Sequence, residues 1–129
     1  MYKYSWVLVI LWAFLIFYLS SIPSLQSGFE ADFILRKLAH VFVYFVLTIL
    51  IFDVLWIEFK NKQLSFRRMY FIAGFLAFLY AVSDEIHQTF VPGRNGSPVD
   101  VAIDSLGILI GILFLLLLKK FKFILRSKN

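Results

Sequence analysis

The chain has 129 residues, of which 61% are hydrophobic and 19% aromatic, and it carries a formal net charge of +5. A mean hydropathy of +0.85 and an apolar share above the ~45–50% of soluble domains exclude an ordinary water-soluble fold. Cysteine is absent, which excludes disulfides, thiolate metal sites and a cysteine nucleophile.

Four apolar runs are long enough to cross a bilayer, which takes roughly 20 helical residues. None alternates as a barrel strand does. The predicted fold is therefore all-α, an integral membrane four-helix bundle forming one domain over residues 1–129. The first run extends from Tyr4 to Ile22 and is closed by Pro23. Lys3 precedes it, as in a signal peptide, but the apolar core is long and aromatic and no small-x-small cleavage motif stands out. The connection PSLQSGFEADFILR, residues 23–36, leaves room for a short interfacial helix from Phe29 to Leu35. The second span covers Lys37 to Ile57 and the third Met69 to Phe90. Residues 91–98, VPGRNGSP, hold two prolines and two glycines and predict a tight turn. The fourth span runs from Val99 to Leu118.

Basic residues fix an orientation. Ten of them, among them Lys3, Lys60, Arg67, Lys119 and Lys128, fall at one end of the bundle. Only Arg36, Lys37 and Arg94 fall at the other, beside Glu30 and Asp32. The positive-inside rule then places both termini and the middle loop in the cytoplasm. The net charge reads as topology. No separate basic surface with base-stacking aromatics is present, so nucleic acid is not an expected partner.

The stretch from Asp84 to Asp104 holds four of the chain's eight acids, one of its two histidines and an arginine. Ionisable groups in or beside a membrane span are expensive and mark candidate functional sites. Helical spacing puts Lys37, His40, Tyr44 and Thr48 on one face of the second helix. Tyr80, Asp84, His87 and Gln88 share a face of the third, with Glu85 about 100° round from Asp84. On the fourth, Asp100 and Asp104 continue into Gly107 and Gly111, a GxxxG step that lets another backbone approach. At about 1.5 Å per residue, Asp84 lies roughly 12 Å below Pro92 and Asp104 roughly 9 Å below Pro98. Three polar stripes at one depth predict a single cavity open at the outer face.

Each candidate has a plainer reading. His40 beside Lys37 can serve a helix end near the headgroups, and Arg36, Lys37 and Arg94 can anchor lipid phosphates. Asp100 can be a first-turn acid with Ser97 as the cap. Asp53 and Glu58 suit the cytoplasmic interface, and terminal Tyr and Trp suit an aromatic belt. The whole cluster can also be structural, but one salt bridge would lock four helices at lower desolvation cost than ten polar side chains.

These residues resemble the VanZ-like family of small bacterial membrane proteins. The matching features are Ser20-Ser21 before a proline, K-L-A-H-V-F-V-Y (Lys37, His40, Tyr44), D-E-I-H-Q-x-F-x-P-G-R (Asp84 to Arg94) and D-V-x-x-D-x-x-G (Asp100, Asp104, Gly107). The resemblance implies a multi-pass protein of the bacterial plasma membrane and an association with resistance to the glycopeptide teicoplanin.

Two mechanisms follow. In the first, an enzyme acts on a cell-envelope component at the outer leaflet. Arg36, Lys37 and Arg94 clamp a lipid-linked phosphate or peptidoglycan precursor, and Asp84, Glu85, His87 and His40 are the candidate catalytic residues. Tyr44, Gln88, Asp100 and Asp104 complete the substrate-binding set. A divalent metal on Asp84, Asp100, Asp104 and a histidine is compatible with the donor types, though the spacing matches no zincin motif. In the second, the cavity holds a lipid, a precursor or the antibiotic without chemistry. An ion-coupled transporter fits less well, because its polar groups would lie near the midplane.

Overall fold

The computed structural model describes residues 5–23, 30–59, 61–62 and 64–126. Lys3, Tyr4, Phe29, Lys60 and Lys128, and residues 24–29 of the first outward connection, lie outside the described residues. Four helices account for most of the chain: α1 (Ser5–Ser21), α2 (Glu30–Phe59), α3 (Phe66–Gln88) and α4 (Pro98–Arg126). No strand occurs among the described residues. The fold is the expected all-α membrane bundle.

Helices α2, α3 and α4 each contain a segment long and apolar enough to cross a membrane: Phe33–Phe59, Phe66–Gln88 and Pro98–Lys120. Helix α1 is shorter, with 17 described residues spanning about 25 Å. That is the lower limit for a crossing of roughly 17–25 residues. Leu8, Ile10, Leu11 and Phe14 are among its exposed apolar side chains, a surface suited to lipid and not to water.

The separate interfacial helix expected at Phe29–Leu35 is not formed. Helix α2 runs unbroken for 30 residues, because no Gly or Pro between Glu30 and Phe59 interrupts its hydrogen-bond ladder. Helix α4 likewise continues beyond Leu118 to Arg126, through lysines that favour helix. Helix α3 starts where Ser65, in an extended conformation, accepts a hydrogen bond from the Arg68 N–H at 3.4 Å. Its exit turn needs Gly93, whose φ of 74° would strain any residue with a side chain.

Packing sets the helices in two parallel pairs. Contacts of α2 with α4 join Lys37 to Asp100 and, further along both helices, Phe45 to Phe114. Contacts of α1 with α3 join Ala13 to Tyr80 and Ser20 to Asp84. Of the two glycines that α4 turns to α2, Gly107 allows the closer approach: a Cβ there would collide with the Val41 carbonyl. Ala73, Ala77 and Ala81 form a fully buried small-residue row on α3, against which Tyr44, Leu47 and Ile51 of α2 close the core.

Helix α1 is held largely by polar side chains that reach backbone carbonyls. The Trp12 indole donates to the Val43 carbonyl at 2.9 Å, and the Tyr80 hydroxyl donates to the Ala13 carbonyl at 2.5 Å. Arg94 donates to the carbonyls of Leu19 and Ile22, each at 2.9 Å. It thereby satisfies acceptors that the end of α1 leaves open. At the opposite end Lys119 lies 3.6 Å from the Phe66 ring centre, which brings the basic tail of α4 beside the start of α3. The two ends of the bundle thus differ in charge.

Candidate functional site

Because both parallel pairs are in register, the polar stripes of α2, α3 and α4 arrive at the same end. They form two layers. In the outer layer the Lys37 ammonium meets Asp100 Oδ1 at 2.9 Å, and the Ser97 hydroxyl donates to Asp100 Oδ2 at 2.8 Å. Ser97 Oγ also accepts from the Asp100 N–H, so Ser97 is the cap of α4 and Asp100 has a second role.

One helical turn deeper, His40 Nδ1 stands 2.9 Å from Asp104 Oδ1 and 3.8 Å from Glu85 Oε1. Glu85 also accepts from the Gln88 amide and from the Ser97 backbone N–H, both at 3.1 Å. The same Gln88 nitrogen donates to Asp84 Oδ2 at 3.1 Å, one hydrogen for each neighbouring acid. Asp84 Oδ1 takes the Ser20 hydroxyl at 2.6 Å. Asp84, Glu85 and Asp104 are 3%, 4% and 0% exposed, a burial that carboxylates tolerate only when paired or coordinated. Two polar atoms here have no hydrogen-bond partner among the described residues: Asp104 Oδ2 and the Tyr44 hydroxyl.

Two cavities open onto this cluster. One, of about 270 Å³, lies between α1 and α2 and is walled by Ile16, Leu19, Ala39 and Val43, with Ser20 and Asp84 within it. The other, of about 350 Å³, is polar and lined by Lys37, Gln88, Asn95, Ser97 and Asp100. Arg36, His40 and Arg94 line both. Burial, and then the nearby charge of Arg36, hold the Arg94 pKa below its ordinary value, while Asp84 and Glu85 oppose this. Two guanidinium groups kept near each other favour an anion between them.

A family model described as VanZ/LLP1 matches residues 5–119. The chain belongs to the VanZ/LLP1 family. No curated protein and no solved structure matches it. It is accordingly a membrane protein of that family, and the matched region takes in α1, α2, α3 and most of α4.

Within this VanZ/LLP1 bundle, ten of the eleven site residues predicted from sequence lie in or around the two cavities or the cluster between them. Lys37 pairs with Asp100, His40 with Asp104 and Glu85, and Asp84 and Glu85 share Gln88. Tyr44 is fully buried beneath them, and Arg94 spans the gap to α1. His87 stands apart. It turns towards α1, where its Nε2 lies 3.0 Å from Ser21 Oγ and its ring packs on Phe17 at 4.4 Å. The Ser21 hydroxyl is also 2.7 Å from the Phe17 carbonyl, so with its one hydrogen given there, His87 is the donor to Ser21.

Ser20 and Ser21 close α1, and their contacts with Asp84 and His87 add that helix to the site. A pair of serines at the same outer depth as the other polar stripes was the available signal. The donor atoms that gather as a ligand set also differ from the sequence-based group. His40, Glu85 and Asp104 each place one such atom within 4.8 Å of the others, whereas Asp84 and Asp100 turn to Ser20, Gln88, Lys37 and Ser97.

Proposed function

We propose that this VanZ/LLP1 protein binds a cell-envelope amphiphile with an anionic head, a lipid-linked phosphate or peptidoglycan precursor, and acts on it at the extracytoplasmic face of the bacterial plasma membrane. The observation that carries this reading is the junction of an apolar and a polar cavity at Arg36, His40 and Arg94. An acyl or prenyl chain fits the first, and a phosphate in the second meets Lys37 and two guanidinium groups. Gln88, Tyr44, Asp100 and Asp104 shape and orient that polar end. Asp84, Glu85 and His40 are the groups able to move protons there, and His87, bonded to Ser21 beside the Ser20–Asp84 contact, is a further titratable group at this end. In a cell exposed to teicoplanin, handling of such a precursor would contribute to resistance.

A second reading has its own support. Lys37–Asp100, Ser20–Asp84 and Ser97–Glu85 are internally satisfied, as expected of a cluster that ties helices and holds a ligand without reacting with it. One set of measurements separates the two. Purified protein in detergent is expected to bind a polyprenyl phosphate but neither the neutral prenol nor inorganic phosphate, and Lys37→Gln should weaken binding about tenfold. Equal binding of prenol and prenyl phosphate would overturn the amphiphile reading. Asp84→Asn, Glu85→Gln and His87→Gln should each abolish function in an envelope-stress or resistance assay while leaving that binding in place. Full function in all three variants would leave the non-reactive holder.

A further inference from the structure

We propose that His40, Glu85 and Asp104 form a binding site for a single divalent transition-metal ion of the zinc or manganese class. The three residues come from α2, α3 and α4, and each offers a donor atom to the same small volume. Metal–ligand distances of about 2.0–2.2 Å require ligand atoms roughly 3.0–3.6 Å apart. His40 Nδ1 lies 2.9 Å from Asp104 Oδ1 and 3.8 Å from Glu85 Oε1, on either side of that range, so small side-chain rotations suffice. One imidazole nitrogen with two carboxylates is a mixed set, which suits a first-row transition ion better than calcium or magnesium.

The unsatisfied atoms point the same way. Asp104 is wholly buried, yet its Oδ2 has no hydrogen-bond partner among the described residues. Of the three deep acids it also has the fewest donors, His40 alone, while Asp84 and Glu85 each have two. The Tyr44 hydroxyl, one turn below His40 on α2, is equally without a partner among the described residues. A fully buried carboxylate oxygen left open is costly, and a cation among the acids removes that cost. Two ionised ligands would balance a charge of +2, and His40 would keep its ring proton on Nε2.

Support around the ligands is already built. Gln88 and the Ser97 N–H hold both oxygens of Glu85, the kind of outer contact that fixes a metal-binding carboxylate. His40 lines the polar cavity, which gives an ion a route in. The outer pair Lys37–Asp100 remains separate and supplies an internal control.

The test is a metal count on detergent-purified, chelator-stripped protein incubated with zinc or manganese chloride and desalted. About one ion per chain is expected, with an affinity loss of at least about tenfold in His40→Gln and in Asp104→Asn. Asp100→Asn and His87→Gln should bind as the parent does. Gel filtration and helical circular dichroism identify any variant that fails to fold, and His40→Gln, at the better exposed ligand, carries the test if Asp104→Asn does so. Sub-stoichiometric binding of both metals by the parent protein, or equal binding by parent and folded variants, would overturn the proposal. The count uses no lipid, so its failure is distinguishable from failure of the amphiphile reading.

Discussion

Ser20 supplies Asp84 with its shortest hydrogen bond, 2.6 Å, from a helix whose side chains are mostly apolar. Removing that hydroxyl leaves Asp84 Oδ1 buried without its donor, which costs about 1–3 kcal/mol in comparable cases. Ser20→Ala is therefore expected to lower the unfolding free energy in detergent by that amount. Ser21→Ala, at a partly exposed bond to His87, should cost no more than about 1 kcal/mol. Equal losses in the two variants, measured by denaturant titration, would show that the Ser20–Asp84 bond does not anchor α1. The sequence displayed the acids and histidines through their cost in an apolar segment. It did not display the serines in the same way, since a hydroxyl near a helix end is satisfied equally well by its own backbone. Ser20 does lie 3.0 Å from the Phe17 carbonyl, and only the fold reveals the shorter bond to a residue 64 positions away.

At the scale of the helices, the pairing of α2 with α4 decides whether the inner polar layer can form. Lys37 and His40 on one helix meet Asp100 and Asp104 on the other, and Gly107 and Gly111 keep the two backbones close enough for this. Their spacing on α4 made the packing face legible in advance, because the acid stripe and the glycine stripe coincide. A methyl group at Gly107 meets the Val41 backbone, which cannot yield cheaply, whereas at Gly111 the nearest atom is the Phe45 carbonyl oxygen at 3.1 Å. At Gly74 it meets only the end of the Ile112 side chain at 3.0 Å. Thermal unfolding should rank the alanine variants Gly107, then Gly111, then Gly74 in severity, with the first costing about 1–3 kcal/mol or more and the last near neutral. A Gly74→Ala protein less stable than Gly107→Ala would contradict this account of the α2–α4 contact. Helix ends were less legible than helix faces. Nothing in residues 30–59 stops a helix, yet the charges at Arg36 and Lys37 suggested a membrane boundary, and a membrane boundary need not be a helix boundary.

For the molecule as a whole, four helices in two parallel pairs put every polar stripe at one end and most of the described basic residues at the other. Lys37, Arg94 and the deep acids surround the turn that follows α3, while Lys119 sits over Phe66 where α3 begins. This segregation followed from apolar run length and charge alone. Which end faces outward is a separate matter, governed by the cost of moving basic residues across the membrane during insertion. In the proposed orientation, which rests on that rule, the cavities would open at the extracytoplasmic face, where an envelope precursor would be reached. The absence of cysteine allows a direct test with single substitutions at two exposed turn positions, Asn95 and Asn61. Asn95→Cys should react in intact cells with a maleimide that cannot cross the membrane, and Asn61→Cys only after permeabilisation. The reverse pattern would turn the site towards the cytoplasm, and the ligand would then have to be an inner-leaflet lipid phosphate. The chemistry of the two cavities would be unchanged, because the guanidinium groups, Lys37 and the apolar wall are fixed by helix register and not by orientation in the membrane.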